Sequence, residues 1–186
     1  MRLRIAMGLA YCLDHMHQLN PPIAHTNLVS SSLQLTEDYA VKVSDFSFGS
    51  SETETNINNN TVIDTHISAL NPEDNIYSFG LLLFEMITGK LIESVNKPDS
   101  VDSSLVDFLR GETLAKMVDP TLESYDAKIE NIGEVIKSCL RTDPKERPTM
   151  QEVTGWLREI TGLSPNDATP KLSPLWWAEL EVLSTA

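Results

Sequence analysis

The stretch Ile23-Ala24-His25-Thr26-Asn27-Leu28-Val29-Ser30-Ser31-Ser32-Leu33-Gln34-Leu35-Thr36-Glu37-Asp38-Tyr39-Ala40-Val41-Lys42-Val43-Ser44-Asp45-Phe46-Ser47-Phe48-Gly49 decides how the rest of the chain is read. Inside it, Leu33–Leu35 and Ala40–Val43 are short β-forming runs separated by Thr36-Glu37-Asp38-Tyr39, the pattern of a small hairpin. Upstream, Ala6, Leu9, Ala10, Leu13 and Met16 keep the spacing of one helix face, and Pro21-Pro22 ends helical geometry. Arg2 and Arg4 before an apolar run superficially suggest a signal peptide. However, Asp14, His15 and His17 follow with no small-residue cleavage site, so an amphipathic helix is the better reading.

Downstream, residues 44–70 turn polar and irregular, as a long loop would. Asn71-Pro72-Glu73-Asp74 then carries helix-start chemistry: a capping side chain, a proline suited to the first turn, and two acids at the positive dipole end. The body behind it, Ile76, Phe79, Leu81, Leu82, Leu83, Phe84, Met86 and Ile87, is apolar nearly all round, which places this helix centrally, and Gly89 ends it. Two further stripes, Ile129-Ile132-Val135-Ile136-Cys139-Leu140 and Met150-Val153-Leu157-Ile160, predict helices, with Ser103–Leu109 a weaker one. A mostly helical domain with one hairpin results, its core expected around Leu9, Leu13, Phe79, Leu82, Leu83, Val135 and Leu157.

The 186 residues carry 14 Lys+Arg against 27 Asp+Glu, a net charge of -13 that argues against nucleic acid and anionic lipid as partners. No run approaches the ~20 apolar residues of a membrane span. Cys12 and Cys139 lie far apart in apolar surroundings and read as buried free thiols of a reducing compartment.

The stretch 23–49 resembles the catalytic loop and magnesium-binding segment of protein kinases, H-R-D-L-x-x-x-N, a hairpin, then D-F-G. Asn75-Ile76-Tyr77-Ser78-Phe79-Gly80 is similar to the family's D-V-Y-S-F-G, and residues 139–150 resemble the segment opening the last helix of its large lobe. Residues 114–122, with Met117-Val118-Asp119-Pro120, are similar to plant receptor-like kinases. The ending 170–184, with Trp176-Trp177, resembles the inactive leucine-rich-repeat receptor-like kinases of the male-discoverer and root-hair-morphology group. The implied fold is the large (C-terminal) lobe of a protein kinase, over residues 1–162, followed by a tail over 163–186. No G-x-G-x-x-G loop and no V-A-I-K lysine occur, so the small lobe is expected to be absent and ATP affinity poor.

The resemblance places His25, Thr26, Asn27 and Ser32 at the family's catalytic-loop positions, none of them an intact catalytic set. Asn27 stands at the base, where a carboxamide cannot take the substrate proton; a positioned base is typically worth ~10²–10⁴ in rate. Val29 replaces the phosphate-steadying lysine, Ser32 a metal-holding asparagine, and Thr26 the arginine that pairs an activating phosphate. Asp45 remains as the one metal ligand, weak alone. His25 and Phe46 match two stacked residues of the family. Asn75 replaces an aspartate that accepts backbone hydrogen bonds from the loop, and its amide oxygen can still accept one. No A-P-E lies at the expected distance; Glu73 reads as a first-turn acid, or alternatively as the carboxylate for Arg147.

The expected function is a pseudokinase-type protein-interaction module needing no cofactor, with proteins as partners, another kinase domain or a receptor among them. Expected contact surfaces are residues 50–70, 91–104 and the Trp176-Trp177 tail. The alternative is a serine/threonine kinase using ATP and Mg with a small lobe supplied elsewhere. The expected location is cytoplasmic, at the cytoplasmic side of the plasma membrane if the chain is part of a full receptor.

Overall fold

A computed structural model describes residues 1–43, 71–92, 103–122 and 126–170. Helix α1 spans Arg2–His17 and strands β1 and β2 span Leu33–Leu35 and Val41–Val43. Helices α2 (Pro72–Thr88), α3 (Ser103–Leu109), α4 (Asp126–Cys139), α5 (Met150–Thr161) and α6 (Pro165–Ala168) complete the described elements. The strands pair antiparallel, Leu33 opposite Val43 and Leu35 opposite Val41, so the hairpin predicted from the sequence forms in that register.

Every residue of the expected core is buried. Around α1 burial goes beyond the predicted stripe: Leu3, Ile5 and Met7 are also enclosed, because α1 meets α5, α2, α6 and β2 on different sides. Helix α2 lies between α1 and α4, as its near-continuous apolar surface requires. Phe84 of α2 meets Phe108 of α3 with ring centroids 5.4 Å apart and planes tilted by 42°.

The two arginines that open the chain are structural ties. Arg2 donates to the Met86 carbonyl at 2.9 Å and pairs with Asp119 at 2.6 Å. Arg4 binds the Asp38 carboxylate at 2.9 Å in the hairpin turn, the Asp38 carbonyl, and the Asp167 carbonyl in α6 at 2.6 Å. The Thr121 N–H, the Arg2 guanidinium and the Thr121 hydroxyl hold the Asp119 carboxyl at about 2. Because that lies below an unfolded aspartate's value, its contribution is present above about pH 4 and is lost as pH falls toward the folded value. Asp119 seats against Gly89, whose φ of 70° ends α2 and where a Cβ would drive into the carboxylate.

Two local expectations are corrected. The Asn71 side chain makes no cap bond; its backbone carbonyl accepts from Asp74 N–H at 3.0 Å, so proline and acids alone mark this start. Cys12 is half-buried rather than buried, since its position on α1 lies at the edge of the core stripe, whereas Cys139 is enclosed and burial pushes its thiol up to about 12. The start of α5 is fixed by a reciprocal capping box of Thr149 and Glu152, with Thr149 N–H donating to Glu152 at 2.8 Å.

Helices α2 and α4 approach closely at Gly80, where an added Cβ would lie 2.8 Å from Cys139 Cβ and 3.1 Å from Leu140 Cδ2. Gly155 of α5 has open space around its missing Cβ. The same substitution therefore has opposite signs. Gly80→Ala is expected to destabilise by about 1–3 kcal/mol through overpacking, and Gly155→Ala to stabilise by up to ~1 kcal/mol through helix propensity. Urea unfolding of both variants checks this.

Candidate functional site

The loop between α1 and β1 is held by its backbone. His25 is buried, and its N–H donates to Asn75 Oδ1 on α2 at 2.7 Å, while Asn75 Nδ2 donates to the His25 carbonyl at 2.7 Å. The His25 ring is turned back on the loop, Nδ1 accepting from Asn27 N–H at 3.1 Å. Ser32 is buried, and its hydroxyl donates to the Val29 carbonyl at 2.7 Å and accepts from Val29 N–H at 3.2 Å. Thr26, Asn27 and Val29 between these ties are exposed.

His25, Thr26, Asn27 and Ser32 lie in the one segment between α1 and β1, with unequal duties. Asn27 offers solvent a neutral carboxamide, which accepts and donates hydrogen bonds but takes no proton at neutral pH. The Ser32 hydroxyl is engaged by the loop's own backbone at its donor and at one lone pair. Asp45, with Phe46 and Ser47, lies outside the described residues. Asn75 does more than expected: it accepts from the loop and also donates to it.

Two supports were not legible from motifs. Glu85, half-buried on α2, accepts from Ile92 N–H at 2.7 Å and bonds the Ser30 side chain; burial raises its carboxyl, and those two bonds oppose the rise. His17, at the end of α1, brings Nε2 to 3.4 Å from Asn75 Oδ1. Burial lowers its ring below the ordinary 6.5, against the opposing pull of Asn75, Asp14 and Glu73.

Arg147 is satisfied by the backbone of Glu73 and not by its carboxylate. Its Nη1 donates to the backbone carbonyl of Glu73 at 2.8 Å, its Nε to the Arg141 carbonyl at 3.0 Å, and its guanidinium lies 4.9 Å from the Tyr77 ring centroid. The carboxylate near it belongs to Asp74, at 3.5 Å and largely exposed, so that pair contributes little. The Glu73 side chain stays an exposed first-turn acid.

The model of the protein kinase domain family matches residues 2–156. The chain belongs to the protein kinase domain family. It is 71% identical, over 100% of its own length, to a probable inactive receptor-like protein kinase of Arabidopsis thaliana, of which it spans 38%. It is 45% identical to Protein MALE DISCOVERER 1 of the same plant over 99% of its length, spanning 27% of that protein. Among solved structures, an apo pseudokinase superposes with a TM-score of 0.66 at 35% identity, covering 88% of this chain and 53% of that one. The pseudokinase DRIK1 (drought responsive inactive kinase 1), in a co-crystal with ENMD-2076, gives 0.64 at 36% identity, covering 88% of this chain and 53% of that one. Helices α1 to α5 and the hairpin are thus a kinase large-lobe fold, and the receptor-like kinase resemblance stated from the sequence holds.

Near neutral pH, His17 gives this lobe a pH-dependent stability. Its folded value lies below its unfolded one, so its contribution is present above about pH 6.5 and is lost as pH falls through and below that value. His17→Gln is expected to shrink the loss of Tm between about pH 7.5 and about pH 5.5, measured by thermal unfolding against the wild type.

Proposed function

We propose that the chain is the large lobe of a receptor-like pseudokinase that acts through protein interaction and not through phosphoryl transfer. What supports this reading is Asn27, which the family resemblance sets at the base position and which is exposed at the loop surface, with its own N–H tied to His25. A relative described as inactive, 71% identical, supports it, as do two pseudokinases among the solved structures.

The proposed partners are proteins. The net charge of -13 disfavours nucleic acid and anionic lipid surfaces. Among the described residues no helix is long and apolar enough to cross a membrane. The proposed contact surfaces, residues 50–70, most of 91–104 and the Trp176-Trp177 tail, fall largely outside the described residues. We place the lobe over 1–162 and the tail over 163–186, with α6 as the tail's first anchor: Ala168 is buried and the short helix packs on α1. As part of a receptor-like kinase the lobe belongs on the cytoplasmic side of the membrane. No cofactor is assigned to it, and Asp45 is the residue that would hold Mg²⁺ under a catalytic reading.

Thermal unfolding with Mg²⁺ and ATP tests the proposal. A ligand at ~100 times its Kd stabilises by about 2.7 kcal/mol, so even modest binding is visible. The expected result is no ATP-dependent shift and no transfer of radiolabelled phosphate to a peptide, with Asn27→Asp alone restoring neither. Phosphate transfer that disappears in Asp45→Ala would overturn the reading.

A further inference from the structure

Helices α4 and α5 pack against each other and leave a groove of about 360 Å³ between them. Val135 of α4 and Ile160 of α5 supply its apolar lining, and Trp156 of α5 lines it with 39% of its surface still exposed. The core-facing stripe of α5 runs through Met150, Val153 and Leu157, all buried, and Trp156 falls outside it. An indole in that place adds little to folding, while a large, stiff aromatic ring beside a groove is the kind of side chain that anchors interfaces. The charged lining is Glu134 on α4 and Glu159 on α5, and among the described residues no cation lines the groove. Lys137, a turn along α4, reaches over the Phe108 ring at 5.2 Å, and its ion pair with Glu134 is too exposed to contribute much. Arg158 acts on Tyr11 of α1, to which α5 also packs.

Two packed helices leave a trough that a third helix fills with its apolar face down, and an acidic rim selects cations on that helix's flanks. We propose that the α4–α5 groove docks a basic amphipathic helix of another protein, its apolar face on Trp156, Ile160 and Val135 and its flanking Lys or Arg on Glu134 and Glu159. The chain supplies no such occupant itself. With 14 Lys+Arg against 27 Asp+Glu, a second copy brings a surface of the same sign. Residues 171–186 carry Lys171 against Glu179 and Glu181, again the wrong balance for this rim, and α6 leads the chain out along α1. The assignment rests on the interaction-module reading above and gives that module a partner chemistry.

Two synthetic amphipathic helical peptides, identical on their apolar face and flanked by Lys in one and by Glu in the other, test this by calorimetric titration into the full 186-residue chain. The Lys-flanked peptide is expected to bind at least ~10-fold tighter than the Glu-flanked one and to weaken as NaCl rises from about 0.05 to about 0.5 M. Trp156→Ala and the double variant Glu134→Lys/Glu159→Lys are each expected to weaken it about tenfold or more. Glu37→Lys, in the hairpin turn, controls for overall charge and should change the affinity by less than about twofold. Thermal unfolding of each variant shows that it is folded. No binding, equal binding of the two peptides, or binding that survives Trp156→Ala or the double reversal would overturn the proposal. So would a Trp156 indole resonance that moves in the Trp176→Ala/Trp177→Ala chain or on dilution of the wild type, which would give the groove to the tail or to a second copy. Neither phosphate transfer nor the ATP-dependent shift involves this groove, so the docking site and the pseudokinase reading can each fail alone.

Discussion

The pair of hydrogen bonds between Asn75 and the His25 backbone is the point where the helical core takes hold of the loop. Helix α2 is buried on most sides, and Asn75 is among the few polar side chains it carries inside. An unpaired amide there would cost about 1–3 kcal/mol for each unsatisfied group, so its partners are set by the same packing that sets the core. Because α2 cannot rotate without exposing Phe79, Leu82 and Leu83, the loop cannot leave without stranding Asn75. Core and site are thus one cooperative unit.

That coupling ties the fold of the large lobe to its core and leaves the exposed loop residues free to vary. Asn27 and Val29, which the family resemblance sets at the base and phosphate-clamping positions, are exposed, and substitutions at such positions generally change stability by no more than about ±0.5 kcal/mol. The positions that set the fold are enclosed: Leu13, Phe79, Leu83 and Ile132 have no accessible surface. Large-to-small changes there typically cost about 2–5 kcal/mol. Catalytic residues are thus easily lost without harm to stability and decisive in rate, while core residues are the reverse.

The sequence made the helices legible because their burial is one-sided or complete, and periodicity reports both. Ser103–Leu109 was the faintest of them and still formed α3, with Leu105 and Phe108 pointing inward. The hairpin was legible from two β-forming runs and the turn between them. What escaped was anything decided by where a distant carbonyl lies. Arg147 ended on the Glu73 backbone, and no side-chain pattern encodes a carbonyl's position. Asn71 looked like a cap, yet its backbone took the bond. Arg2 and Arg4 looked like flanking charges until α2, the hairpin and α6 closed around them. The donor half of the Asn75 pair was hidden for the same reason: it depends on which way the His25 carbonyl faces.

The charge pattern of the loop and the identity of its anchor are consistent with each other. Against the family pattern, Thr26 stands for an arginine, Asn27 for an aspartate, Val29 for a lysine and Asn75 for an aspartate. A buried carboxylate on α2 is tolerable when a cation or several N–H groups face it; without them its ionised form is penalised by desolvation. Once the loop lacks its arginine and lysine, a neutral anchor avoids burying an uncompensated charge and gains a donor for the His25 carbonyl. Restoring one charge at a time therefore leaves it without a counterpart, so the loop and its helical anchor are expected to change together.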